Sequence, residues 1–531
     1  MRPLTVAANA AWLAASLPAW RRFTRALPKP EEAQDELLRF LLARHADCAF
    51  GRAHGFGETQ SYAEFARRVP LSRYHEAEEW IVRIRAGEAR VLTADPVGHL
   101  VPTSGSTGAR KLIPFTAGLQ RAFNAAVGAW MVDLARQHPA IVGGPAYWSI
   151  SPVANGKVAE ASAVPIGFDD DSAYLGGARQ KLVAATMAVP PAVRGAADME
   201  SFRSLTLLCL LRRRDLRLVS MWHPSFLTLL FEAMPAAWDA LVEDIRRGAC
   251  RWEPALRGRP QPGRARELAA LGPDAPAKLW PALRVISCWG DVMAEPGCAE
   301  LRRRFPGVTV QAKGLLATEA CVTVPFRGHR PLAVTSHFFE FLGGDGGLRR
   351  AHELQPGVSY EVVVTNGGGL WRYRMGDLVE VDGFVGATPS LRFLGRVGNV
   401  SDLRGEKLSE VFVATVLNRM GAGAGGKWRF ALLAPETDAE ARASYTLFVE
   451  GSVADNTATC LDVALRENPQ YALCRDLGQL DGPRVFRISG GGQDVFTRVE
   501  LASGRCLGEV KPQSLSRRDG WASRFAGSYH R

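Results

Sequence analysis

The stretch TSGSTGARKLIPFT, Thr103–Thr116, follows the apolar approach VGHLV (Val97–Val101) and gathers Ser104, Gly105, Ser106, Thr107 and Gly108 just before Arg110 and Lys111. This composition can cradle a polyphosphate: backbone N–H groups converge where glycine leaves room, and a lysine supplies a point charge. A Walker loop would read G-x-x-x-x-G-K-[ST]. Here Ala109 and Arg110 separate Gly108 from Lys111, and Leu112 stands where the magnesium-binding hydroxyl belongs, so that reading fails at two positions. A Gly/Ser surface loop without function explains the glycines but not their adjacency to Ala109-Arg110-Lys111.

The rest of the chain sets the frame for that loop. A length of 531 residues with 47% hydrophobic content exceeds what one core normally organises and predicts one large domain with a smaller one. The net charge of +11 comes mostly from scattered arginines, with no polybasic tail or aromatic RNA-binding signature, so a solvated basic surface is expected and nucleic acid is not a partner. Nine cysteines without a C-x-x-C pair argue against a disulfide framework and a zinc site, and reduced thiols in a cytoplasmic protein are expected. The opening MRPLTVAANAAWLAASLPAWRRF (Met1–Phe23) lacks a small-x-small cleavage site and reads as a helix packed on the domain, not an export signal. No apolar run is long enough to span a bilayer.

Periodicity orders the elements. QDELLRFLLARHADCAFG (Gln34–Gly51) repeats apolar residues at three and four, as does YAEFARRV (Tyr62–Val69) before Pro70, so Glu31 to Gly87 reads as helical. A helix is predicted from Gly118 to His138, a buried strand in PAYWSISPV (Pro145–Val153) and another in LRVISCWG (Leu283–Gly290). Between them, SLTLLCLLRRRDLRLVSM (Ser204–Met221) leads into the helical PSFLTLLFEAM (Pro224–Met234). Strands alternating with helices indicate an α/β fold with a mixed or parallel sheet. From Leu332 the short runs HFFEFL, SYEVVVTN, LWRYRMGDLVEVDGF and LRFLGR, bounded by glycines, indicate an antiparallel β-rich region. Beyond Gly395 the chain is more polar, and GAGAGG (Gly421–Gly426) and SGGGQ (Ser489–Gln493) read as exposed loops of a small α+β domain. The boundary falls between Gly395 and Asn399, giving domains 1–395 and 396–531.

The loop at Thr103 resembles the phosphate-binding loop of adenylate-forming enzymes, and three further stretches match that superfamily in order. GLLATEA (Gly314–Ala320) is similar to its T-E motif, which implies Mg²⁺ coordination by Glu319 and a place near the α-phosphate for Thr318. Where the family has an aromatic four residues before the glutamate, to stack on adenine, this chain has Leu315. GLWRYRMGDLVEV (Gly369–Val381) is similar to Y-R-x-G-D and implies that Asp377 accepts the ribose hydroxyls; the alternative is a hairpin with Arg372, Arg374 and Asp377 in surface ion pairs. FLGRVGNVSDLRGEKLSE (Phe393–Glu410) resembles the start of the small domain, implying that Arg396 touches ribose or phosphate and that Gly398-Asn399 forms the hinge, without the acid usual there.

The finer resemblance, from about Gln34 to Pro512, is to the GH3 family of acyl-acid amido synthetases. It rests on Phe50–Leu92, HFFEFL, GLWRYRMGDLVEV and GEVKPQ (Gly508–Gln513), the last similar to G-x-x-K-x-P and implying that Lys511 swings over the acyl phosphate. The resemblance implies a large adenylate-forming domain with a mobile C-terminal lid, and an AMP-forming ligase using ATP and Mg²⁺. Such an enzyme adenylates a carboxylic acid, and an amine or amino acid then displaces AMP to give an amide. A monomer or weak homodimer is expected, with no membrane or nucleic-acid partner. An acyl-CoA ligase sharing the first half-reaction and a non-catalytic nucleotide-binding homologue are the alternatives. His223 and His337 are candidate bases for the second half-reaction, although a lone histidine is more often packed or solvated. Around SMWHPSF (Ser220–Phe226) and CWGDVM (Cys288–Met293), Trp222 and Trp289 suggest a pocket for an aromatic or apolar acid, or core packing.

Overall fold

The computed structural model describes residues 3–103, 111–149, 162–167, 177–291, 294–398, 400–423, 428–437, 443–502, 510 and 513–530. Ser104, Gly105, Ser106, Thr107, Gly108, Asn399 and Lys511 lie outside these residues. The chain forms two compact units: the first comprises Met1–Trp289, Leu301–Met375 and Glu380–Arg392, the second Gly290–Glu300, Gly376–Val379 and Phe393–Arg531. Among the described residues no helix is long and apolar enough to cross a membrane.

In the first unit the helix Pro3–Ala26 is followed by Pro30–His45, whose Leu37, Leu38, Leu41, Leu42 and His45 fall on one buried face. Ser61 and Glu64 form a capping box at the start of Tyr62–Arg68, each satisfying a backbone N–H that the first turn leaves open. These helices enclose Phe56, Phe65, Ile81, Leu100, Leu112, Phe338 and Trp371 in one core cluster. Strands β1 (Val97–Thr103) and β2 (Lys111–Thr116) form an antiparallel hairpin that pairs Thr103 with Lys111. The helix Ala117–Gln137 follows it.

Ser204–Met221 resolves into the helix Met199–Leu211 and a short strand, because only LVS at its end is flanked by parallel partners. Strands β3 (Ala146–Trp148), β4 (Leu218–Ser220), β5 (Val285–Cys288) and β6 (Thr309–Ala312) form a parallel sheet in sequence order. β3, β4 and β5 are short and mostly buried, as expected of strands covered on both faces. Strands β7 (Phe338–Gly343), β8 (Leu348–Arg350), β9 (Ser359–Thr365), β10 (Tyr373–Val385) and β11 (Thr388–Arg396) make a five-stranded sheet ordered β11-β10-β9-β7-β8. Within it β7 runs antiparallel to both β8 and β9.

The second unit holds the short pair β12 (Val400–Ser401) and β13 (Leu408–Ser409), and a sheet of β14 (Phe430–Thr437), β15 (Ala443–Glu450), β16 (Arg484–Ile488) and β17 (Gly527–Tyr529). Alternation along β14 sends Ala431 and Leu433 into one cluster with Leu447, Val449 and Leu461, and Phe430, Leu432 and Ala434 into another with Phe448, Phe486 and Trp521. Gly421 to Gly423, expected in a loop, instead close the helix Glu410–Gly423. The helix continues because Val413, Val416, Leu417 and Met420 pack on the first of these clusters, which outweighs the roughly 1 kcal/mol propensity cost of each glycine.

Candidate active site

Lys111 opens β2 at the register position facing Thr103, half-buried, with its Nζ 5.9 Å from the centroid of the Tyr74 ring. The Tyr74 hydroxyl accepts the Leu112 N–H at 2.9 Å, which fixes the backbone beside the lysine. At the other end of β2, the Thr116 hydroxyl accepts the Leu119 N–H at 3.1 Å as a helix cap and donates to the Gly367 carbonyl at 2.8 Å.

Thr318 and Glu319 occupy the tip of a tight reversal: Leu316 bridges Cys321, and the Ala317 N–H donates to the Ala320 carbonyl at 2.9 Å. Thr318 is half-buried and Glu319 buried, and the Glu319 carboxylate has no ion pair among the described residues. Leu315 is core: its N–H donates to Thr323 Oγ1 at 2.8 Å and its carbonyl accepts from Val322.

Asn366, which sequence reasoning missed, ties these pieces together within the first unit. Its Nδ2 donates to the Glu319 carbonyl at 2.7 Å, and its Oδ1 accepts the N–H of Gly368 at 2.8 Å and of Leu370 at 3.2 Å. The neighbouring Gly367 carbonyl is the one that receives the Thr116 hydroxyl. A side chain at Gly368 would meet the Pro114 carbonyl at 2.8 Å, and Gly369 has φ +98 with Leu92 Cβ at 2.7 Å from where its own Cβ would stand. Only glycine lets the loop after β9 lie this close to β2. The signal in the sequence was the NGGG run preceding LWRYR.

Asp377 and Arg396 meet in the second unit. Asp377 is fully buried; its Oδ1 accepts from Arg396 Nε at 3.0 Å, and its Oδ2 has no hydrogen-bond partner among the described residues. Gly376, inside β10 at φ +76, precedes it, and the Val397 N–H donates to the Gly376 carbonyl at 2.7 Å. Arg372 and Arg374 pair elsewhere, so the surface-ion-pair alternative does not hold for Asp377. Arg372 is buried against Glu340 at 2.7 Å and also donates to the Ala66 and Val69 carbonyls, while Arg374 pairs with Glu361.

These residues fit the groups expected of them. A buried carboxylate oxygen without a partner calls for a donor, and a ribose hydroxyl is one. Glu319 offers a single buried carboxylate. That matches Mg²⁺, which takes one or two protein carboxylates and completes its shell with phosphate and water.

His337 Nε2 accepts the Cys321 N–H at 3.2 Å, and burial pushes its pKa down to about 3. Gln34 holds the start of β7 beside it, donating to the Val334 and His337 carbonyls at 2.7 and 2.8 Å and accepting the Phe339 N–H. Burial lowers His223 to about 4. Of the expected pocket residues, Trp222 is exposed, and its carbonyl accepts the Trp289 N–H at 2.8 Å.

Two family models match the chain: the GH3 family N-terminal domain over residues 19–310 and the GH3 family central domain over 331–396. A probable indole-3-acetic acid-amido synthetase of Oryza sativa subsp. japonica is 27% identical over 462 residues, covering 74% of this chain and 73% of the relative. A jasmonoyl-L-amino acid synthetase of Nicotiana attenuata is 26% identical over 418 residues, covering 71% of each. Among solved structures, a GH3.15 acyl acid amido synthetase in complex with 2,4-DB superposes with a TM-score of 0.82 at 18% identity, covering 98% of this chain and 97% of the other.

Proposed function

Because this chain belongs to the GH3 family, we propose that it is an ATP-dependent acyl-acid amido synthetase, an AMP-forming ligase that activates a carboxylic acid and transfers the acyl group to an amino acid or amine. A free carboxylate resists amide formation because its oxygen is a poor leaving group; adenylation replaces that oxygen with AMP. The observation that carries the nucleotide assignment is the buried Asp377, with one oxygen on Arg396 and the other open for a ribose hydroxyl. The names of the curated relatives support a carboxylic acid and an amino acid as the two substrates.

The residues divide the work. Lys111 and the loop Ser104, Gly105, Ser106, Thr107 and Gly108 hold the polyphosphate, where the ammonium offsets charge as the acid attacks the α-phosphate. Thr318 would stand beside that phosphate, and Glu319 would hold Mg²⁺, which would supply positive charge to the phosphates. Asp377 and Arg396 fix the ribose. With Leu315 buried where the family has a ring, adenine is held by apolar contact alone or by another ring. Residues 396–531 act as a lid pivoting at Gly398-Asn399 and bringing Lys511 to the acyl phosphate, which keeps water from a hydrolysable intermediate. The use of ATP supports a cytoplasmic location.

The deciding experiment is acid-dependent pyrophosphate exchange over a panel of carboxylic acids, followed by AMP release with amino acids, amines and coenzyme A as acceptors. Exchange with one acid and amide formation with an amino acid are expected. A thioester as the sole product would make the chain an acyl-CoA ligase, and no exchange with any acid would make it a non-catalytic nucleotide binder.

A further inference from the structure

At the carboxyl end of the parallel sheet, Trp148, Ser220, Ser287 and Gln311 occupy one register row across β3, β4, β5 and β6, so their side chains leave the same face. Gln311 Oε1 is already used, accepting from Trp130 Nε1 at 2.9 Å and from Ser287 Oγ at 3.2 Å. Lys313, two residues on, projects its ammonium over the same face: Nζ lies 5.9 Å from the centroid of that Trp130 ring and 5.0 Å from that of Trp222. Lys313 is only 6% exposed, whereas Trp222 is 43% exposed, so the ammonium sits beneath an indole that opens to solvent.

The charge arrangement there is lopsided. Among the described residues no carboxylate pairs with Lys313, and burial lowers its pKa to about 8, which leaves it mostly a cation at neutral pH. The two ring faces return only part of the solvation that a buried ammonium loses. Two further donors of the row are unspent: Ser220 Oγ and Trp148 Nε1 are buried without a partner among the described residues. A surface with a buried ammonium and donors to spare suits an anion. The carboxyl ends of parallel strands are where open α/β sheets take their ligands.

We infer that Lys313 is the counter-ion for the carboxylate of the acyl acid, a monocarboxylic acid whose apolar body lies against the Trp222 indole. The inference rests on the amido synthetase reading for the identity of the acid, but its geometry stands on the first unit alone. Lys313 binds the acid and leaves nucleotide binding to other residues.

The test uses calorimetry on the full chain, with benzoate, phenylacetate and indole-3-acetate each titrated against its primary amide. At least one acid is expected to bind ten-fold or more tighter than its amide. Lys313→Met, which keeps the length and apolar stem, is expected to abolish that preference while AMP binding, which also reports folding, stays within two-fold; Lys313→Arg is expected to restore most of it. No preference for any acid over its amide, or a preference that persists in Lys313→Met, overturns the inference. Pyrophosphate exchange with the preferred acid separates the two readings: Lys313-dependent binding without exchange sinks adenylation alone, and exchange with an unchanged acid KM in Lys313→Met sinks the lysine alone.

Discussion

The side-chain amide of Asn366 donates to the Glu319 carbonyl at 2.7 Å while its oxygen accepts the Gly368 and Leu370 N–H groups, so one buried residue ties the T-E turn to the glycine loop after β9. Asn366→Asp keeps the acceptor but loses the donor, freeing the turn that positions the Glu319 carboxylate. Orienting partners behind a metal ligand typically contribute 10–100-fold. Asn366→Asp is therefore expected to lower kcat/KM for pyrophosphate exchange by about that factor and to raise the Mg²⁺ concentration for half-maximal rate. A Mg²⁺ titration with the wild-type midpoint would show that the turn holds its shape without this bond.

The open oxygen of Asp377 predicts a loss specific to ribose. Asp377→Asn keeps the shape but removes the charge facing Arg396, and a hydrogen bond to a charged group contributes about 1.5–3 kcal/mol. The KM for ATP is expected to rise roughly 10–100-fold, and the discrimination between ATP and 2′,3′-dideoxy-ATP to collapse toward unity. Equal discrimination in wild type and variant would remove Asp377 from the ribose.

Local signals were legible in the sequence and long-range ones were not. The apolar spacing of Leu37, Leu38, Leu41 and Leu42 and the Ser61–Glu64 cap act within one helix, so the helical reading of that region follows from neighbours alone. The T-E and Y-R-x-G-D matches likewise lie in contiguous residues. Arg372, by contrast, lies near Asp377 in sequence, yet it is buried against Glu340, a partner set by the pairing of β7 in the sheet. Asn366 and Lys313 escaped notice for the same reason: the environment of each comes from Glu319 in one case and from Trp130 and Trp222 in the other, brought together only by the fold. Within the GAGAGG run, Gly421 to Gly423 are helical because packing of the preceding turns overrides glycine's low propensity.

Lys111 contributes charge at the mouth of its hairpin and little packing, since it is half-buried with its nitrogen near the edge of contact range of Tyr74. Lys111→Ala is expected to reduce pyrophosphate exchange at least 100-fold, the effect of removing a preorganised donor from a charged transition state, while changing stability by less than about 1 kcal/mol. Exchange at wild-type strength would remove this lysine from the polyphosphate site. A large loss of melting temperature would reassign it to the fold.

His45 and His337 make the first unit sensitive to acid. His45 Nδ1 accepts the Ala94 N–H at 3.0 Å, and burial brings the ring down to about 4 against the push of Asp95. His337 Nε2 accepts the Cys321 N–H, and burial brings that ring to about 3. Each ring is therefore neutral when folded and must give up a backbone bond to take a proton. In the unfolded chain both titrate near 6.5. Above that pH neither state binds the proton and stability is level; as pH falls below it the unfolded chain gains protons that the folded one refuses, so stability drops until the folded pKa values are reached. Between pH 7 and pH 5 this costs about 2 kcal/mol per ring, or roughly 5 °C in melting temperature for the pair in a unit of several hundred residues. His223, which burial lowers to about 4, loses as much as His45, so His337→Gln, whose side-chain oxygen can still accept the Cys321 N–H, is expected to remove about a third of the decline, read as the difference in melting temperature between the two pH values. A decline of unchanged size in that variant would assign the acid sensitivity to other groups.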